Sequence, residues 1–257
     1  MTQLTAPVPP VPADVPPGGV AWLRASVARF SNGSDHVRRR GFALELLAEV
    51  DPQSLRDKAF ARTQRIMADV EDVDVMAVIA RPVPVGVLAE ALGLPDVSAE
   101  VALVAAAYHP HVTPSDAAEA SMGRLIEACG GKSDEVAAAR IGLLVQACDA
   151  TAGLIGNTLS ASLAGKPGEL LADPPVLRTR RRIGGEDVTV DLTGTPFGAG
   201  PRECPGPAHA IALATGVLEA LRGFRLTETE TAWVSSPNLR MPAVLRVTRG
   251  SSTGGLC

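Results

Sequence analysis

No proline interrupts residues 133–164, and within that stretch Ile141, Leu144, Val145, Cys148, Ile155 and Leu159 recur at the three- and four-residue spacing of a helix. Such a helix spans roughly 45 Å at about 1.5 Å per residue. A helix so long and apolar has to run through a core, so the other elements must pack around it. Residues 21–29, 36–49, 51–69, 72–80, 83–95, 97–108, 113–129 and 208–222 read as further helices. Residues 187–191, 223–227 and 243–248 read as short strands. The fold class expected is mainly α with a long central helix and a few short β-strands.

At 257 residues and 46% hydrophobic content, the chain can bury a full core as one unit over residues 20–250. Residues 1–19 carry Pro7, Pro9, Pro10, Pro12, Pro16 and Pro17, which predicts an extended arm, disordered in part or draped on the surface. Residues 251–257 are read as a frayed tail. A net charge of −4 and a pI of about 5.6 argue against nucleic acid or an anionic membrane as partner, and 3% aromatics leave little for base stacking. Cys129, Cys148, Cys204 and Cys257 show no C-x-x-C spacing and no disulfide framework, which fits a reducing cytoplasm. No secretory leader or membrane span is read, so a soluble cytoplasmic protein is expected.

One of these cysteines stands out. Cys204 lies in the turn Phe197-Gly198-Ala199-Gly200-Pro201-Arg202-Glu203-Cys204-Pro205-Gly206, just ahead of the amphipathic segment 208–222. A helix N-terminus favours an anion, and a thiolate is the form that binds metal or attacks. Glycines around it leave room for something flat to approach the sulfur. The residue-level alternative is a buried structural cysteine beside a tight turn.

The pattern F-G-x-G-x-R-x-C-x-G resembles the cysteine-ligand loop of the cytochrome P-450 heme-thiolate proteins, with all ten positions matched. The resemblance implies a reduced P-450-like domain with heme b iron as cofactor. Cys204 would be the axial ligand, Arg202 a propionate partner and Phe197 a neighbour of the sulfur, with Gly198 and Gly200 completing the loop. It also gives a meaning to His36 and Arg40, which share a helix face, and to residues 177–182, which resemble a family strand in which Arg181 follows Thr179 by two; all three would reach propionates. Residues 83–95 are similar to the family segment P-V-x-V-I-A-x-L-L-G-V-P. Arg38 and Arg39 form a basic patch, either a plain solvated face or a docking face for an electron donor.

Other family motifs are altered. The distal A-G-x-[D/E]-T-T reads Ala147-Cys148-Asp149-Ala150-Thr151-Ala152, so Thr151 is retained while the carboxylate has moved one place to Asp149, about 100° around the helix. Thr151 is read as assisting proton delivery or as a core threonine bonded back to its own helix. Two helices and the E-x-x-R helix are missing before residues 169–176, where Ala172 stands in place of the E-L-L-R arginine. The resemblance points to Tyr108, His109, His111, Ala147 and Ser236 as substrate contacts, with Asp149 and Thr151 as the catalytic pair; a plain surface turn is the competing reading of 108–111. The function implied is oxidation of a small organic molecule, as a monooxygenase or peroxygenase-like enzyme of natural-product biosynthesis, with a ferredoxin-type donor. The other reading is a heme-free accessory protein that binds and stabilises a partner enzyme. With so much removed, a homodimer or partner would cover the apolar surface left behind.

Overall fold

A computed structural model of the chain describes residues 3–163, 165, 169–227 and 231–250; the expected tail at 251–257 lies outside the described residues. In chain order the elements are α1 (Val20–Ser26), α2 (Gly33–Ala48), α3 (Pro52–Met67), β1 (Asp72–Asp74), α4 (Pro82–Ala91), α5 (Ser98–Ala106), α6 (Asp116–Ala128), α7 (Glu135–Leu163), β2 (Arg178–Ile183), β3 (Glu186–Asp191), α8 (Pro207–Ala220), β4 (Phe224–Leu226) and β5 (Arg246–Arg249). The mainly helical reading holds. Asp51 caps α3 through bonds from the amides of Gln53 and Ser54, with Pro52 at the first helical position, and Ser115 caps α6 through the Ala118 amide.

The 29 residues of α7 run about 43 Å at the usual rise. Ile141, Leu144 and Ile155 are fully buried, and α2, α4, α5 and α8 all pack on α7. Among the described residues α7 is the one helix long and apolar enough to cross a membrane, and 72% of its most apolar window is buried inside the fold. Its N-terminal end is tied to α2, where Glu135 accepts from Arg38 and Arg39. The two arginines of the basic patch are thereby ion-paired, Arg38 also with Asp35.

Two readings change. Residues 72–80 form β1 followed by a π-helical turn at Met76–Ala80. The helical periodicity there is overridden by pairing: β1 lies antiparallel to β5, Val73 opposite Val247, and the Asp74 carboxylate accepts from the amides of Met76 and Leu245. β4 pairs on the other edge of β5, giving the order β1-β5-β4, while β2 and β3 form a separate hairpin. The proline-rich arm, for its part, is not simply draped on the surface, because Val8 is buried and its backbone is bonded to Asn32.

α3 and α8 are joined by Arg56 and Glu219, 2.6 Å apart. Their backbones nearly touch. A Cβ added at Gly216 would stand 2.2 Å from the Arg56 carbonyl oxygen. Gly216→Ala should therefore push α8 off α3 and lower stability by about 1–3 kcal/mol, read as a lower urea midpoint at unchanged slope.

Candidate functional site

The loop from Phe197 to Gly206 reverses between β3 and α8 using left-handed backbone at Gly198 (φ 75°) and Gly200 (φ 68°), a region that side chains avoid. The Cys204 amide donates to the Phe197 carbonyl (2.8 Å) and the Glu203 amide to Gly200 (3.1 Å), closing the turn. The Gly206 amide donates to the Cys204 sulfur. Burial pushes the thiol pKa up, opposed by that bond and by the charge of Arg40 and reinforced by Glu203.

Cys204 opens onto a cavity of about 530 Å³, within the range of pockets that bury a small organic ligand. Leu143, Ala147, Ala150, Thr151 and Leu154 of α7 line one side, and Phe197, Gly198 and Cys204 line another. Their spacing along α7 is helical, so one face of the long helix meets the loop.

A third side is cationic. His36 and Arg40 of α2, Arg181 of β2 and Arg202 of the loop all reach the cavity. Among the described residues no carboxylate pairs with Arg40, Arg181 or Arg202. Arg181 is 6% exposed and donates only to neutral oxygens: the Leu4 carbonyl, Thr179 Oγ1 and the Arg180 carbonyl. Burial, then the charges of Arg202 and Arg29, bring its pKa down to about 10. Burial, then Arg202 and Arg40, lower that of His36, and burial lowers that of Arg202. Crowded cations without counterions favour an anion, which would relieve both desolvation and repulsion.

No family model matches this chain, and no curated protein does. Solved structures do. CxnD, described as the cytochrome P450 for C–S bond formation in chuangxinmycin biosynthesis, is 15% identical with a TM-score of 0.71 over 89% of this chain and 80% of its own. Mycobacterium smegmatis CYP164A2, ligand-free, is 20% identical with a TM-score of 0.68 over 96% and 88%. P450BioI, in complex with an acyl carrier protein ligated to hexadec-9Z-enoic acid, is 16% identical with a TM-score of 0.66 over 93% and 87%. The chain has the cytochrome P450 fold. At these identities the likeness is one of fold, and heme iron is the cofactor that a P450 fold implies.

Within this P450 fold the residues singled out from sequence fall into two groups. Cys204, Arg202, Phe197, Gly198, His36, Arg40, Arg181, Ala147, Thr151, His109 and His111 share the cavity. Gly200, Tyr108, Asp149 and Ser236 are not in its lining. The α-carbon of Gly200 backs onto Thr5 instead. Tyr108 is buried with its ring on Phe30 at 5.2 Å, and burial holds its phenol neutral. Asp149 pairs with Arg81 at 3.1 Å. Ser236 Oγ accepts from the Leu239 amide and donates to Asn238, so Pro237 and Asn238 face the cavity in its stead. Thr151 is 2% exposed and, among the described residues, makes no bond to the preceding turn of the kind Thr158 makes to the Leu154 carbonyl.

Several lining residues carried no sequence signal. Arg29, Gln146, His209 and the arm residues Val8–Val11 reach the cavity through tertiary packing alone. Leu143 and Leu154 were recoverable, lying four before and seven after Ala147 on one helix face. The His109 loop is held by Arg24, whose guanidinium donates to the carbonyls of Ala107, Tyr108, His109 and Val112. That buried arginine positions the two imidazoles, which stack at 5.5 Å.

The donor set fits heme chemically. One sulfur stands at the cavity wall, and several cations stand beside it with no carboxylate of their own. A pH test follows from His109, whose pKa is brought down to about 4 by burial, then Arg29 and His111. A depressed imidazole is neutral when folded and binds its proton more readily when unfolded. Its contribution to stability is therefore present above about pH 6.5 and is lost as pH falls toward 4. Carbon-13 NMR of the ring should show a midpoint near 4, and His109→Asn should flatten the stability profile between those limits.

Proposed function

We propose that this protein binds heme b through the Cys204 thiolate and is a heme-thiolate oxidoreductase acting on a small organic molecule. The observation that carries the reading is the meeting, in one cavity, of Cys204 with Arg40, Arg181 and Arg202, none of which is ion-paired among the described residues, and with the apolar face of α7. When bound, heme supplies one-electron and oxygen chemistry that no side chain possesses.

The chain's own groups then have distinct tasks. The Gly206 amide fixes the sulfur, and Phe197 packs beside it. His36, Arg40, Arg181 and Arg202 hold the two carboxylates of the porphyrin. Val27, Phe30, Leu143 and Leu154 receive an apolar substrate and exclude water, while His109, His111 and Asn238 offer polar contacts at its rim. Thr151 holds a hydroxyl proton at the α7 face, with no carboxylate from its own turn to relay it, since Asp149 is committed to Arg81. That commitment favours peroxide over dioxygen with a ferredoxin-type donor. Relatives of fold named for biosynthetic chemistry support a role in specialised metabolism.

A second reading, a non-catalytic P450-like accessory protein that binds a partner enzyme, is favoured by the same Asp149–Arg81 pair and by Ala172 standing where the family pattern has arginine. Spectroscopy separates the two. Protein produced with heme supplied should give, after reduction and addition of carbon monoxide, a thiolate-type Soret band, and Cys204→Ser should abolish it. A chain that takes up no heme under those conditions is the accessory protein. In the enzyme, Asp149→Asn should change turnover less than twofold, whereas Thr151→Val should lower it at least tenfold.

A further inference from the structure

One wall of the cavity is the arm. Val8, Pro9, Pro10 and Val11 line it, and beyond them Val11, Pro12 and Val15 face Arg24 and Pro110 across a smaller space of about 110 Å³. The arm thus runs from the cationic side to the His109 loop, and its far end is anchored where the Val20 amide donates to Glu119.

Its near end is held by an asparagine in an unusual role. Asn32 occupies the position before α2 where a side chain ordinarily accepts from the first helical amides, yet it caps nothing. Its Oδ1 accepts instead from the Val8 amide (2.9 Å) and from Arg202 Nη2 (2.7 Å), while its Nδ2 donates to the Val8 carbonyl (3.0 Å). The side chain pairs with Val8 as a neighbouring strand would. Although Asn32 is exposed, Val8 beneath it is buried. The same arm reaches the second arginine: the Leu4 carbonyl accepts from Arg181 Nε (3.0 Å) and the Pro7 carbonyl from the Arg182 amide (2.7 Å).

We propose that residues 4–11 are a strap clasped by Asn32, and that the clasp positions Arg181 and Arg202 to bind the anionic groups of the cavity's ligand. Composition explains why a proline-rich segment suits the task. Prolines at 7, 9 and 10 remove amide donors and leave carbonyls, and the arm serves β2 through carbonyls: Leu4's for the Arg181 guanidinium and Pro7's for the Arg182 amide. They also hold the arm extended before it docks, so less chain freedom is lost in docking. The segment 3–13 contains no charged residue. It holds Arg181 directly, and Arg202 through the Asn32 side chain that clasps it, without neutralising either, and their charge stays available to the ligand.

The proposal rests on the heme reading only for the identity of the anion, and two measurements keep them apart. In the heme-free full-length protein, NMR should show the Val8 amide and the Arg181 Nε–H exchanging at least tenfold more slowly than in an unstructured peptide. Asn32→Ala should release both, and Val8→Pro, which removes the arm's own donor together with the buried Val8 side chain, should release the Arg181 Nε–H. Hemin-loaded protein should then lose its hemin to apomyoglobin about tenfold faster in either variant, while Val37→Ser on the exposed face of α2 releases it at the original rate. Free exchange at Val8 in the unaltered chain would overturn the strap. So would an Arg181 signal that survives in both variants, or variants that free the arm yet change hemin release less than twofold. If the unaltered chain takes up no hemin, the heme reading falls, and the exchange data alone decide the strap.

Discussion

Arg40, Arg181, Arg202 and His36 converge on one cavity and, among the described residues, none of them is paired with a carboxylate; much of the structure serves to hold that unfavourable grouping in place. Buried like charges repel and lose hydration, so each must be given neutral acceptors or be forced there by packing. Both devices are used. Arg181 and Arg202 are fixed by carbonyl and amide oxygens from the arm, the strand β2 and the start of α2. Arg40 and His36 are carried in by the helix itself, and His36 gives up part of its basicity as a result.

That arrangement depends on a frame that cannot yield. α7 supplies the opposite wall and is anchored through its buried face to α2, α4, α5 and α8. α8, which begins just past Cys204, is pressed against α3 so closely that only glycine fits at 216, with Arg56 and Glu219 bridging the pair at the side. The sulfur and the cations therefore sit on elements whose spacing is set by backbone contact and not by long flexible side chains. The glycine contact and the ion pair tie α8 to α3.

Much of this was legible in the residues. The helical periods of α3, α6 and α7 and the strand alternation at 187–191 place those elements, because apolar spacing is a local property. The loop residues Phe197, Arg202 and Cys204 carry a pattern of their own, and the structure brings them together with His36, Arg40 and Arg181. Where reading failed, a distant partner made the decision. Residues 72–74 became a strand because β5, some 170 residues later, pairs with them. Tyr108 turned into the core because Phe30 lay there to receive it, and Asp149 turned to Arg81. The arm looked like a surface tail because prolines forbid helix, and nothing local reveals that its carbonyls would be needed by Arg181.

The sequence by itself determined the helical class, the central helix and the cysteine loop, since periodicity, proline placement and a ten-residue turn act over short distances. Only the tertiary structure decided which charged groups share a space and what surrounds them. Whether an arginine meets a carboxylate, a carbonyl or a cavity depends on residues far away in the chain. Arg181 next to Leu4 is the clearest case: 177 residues separate a proline-rich arm from the strand it braces, and the hydrogen bond between them exists only after the chain has closed on itself.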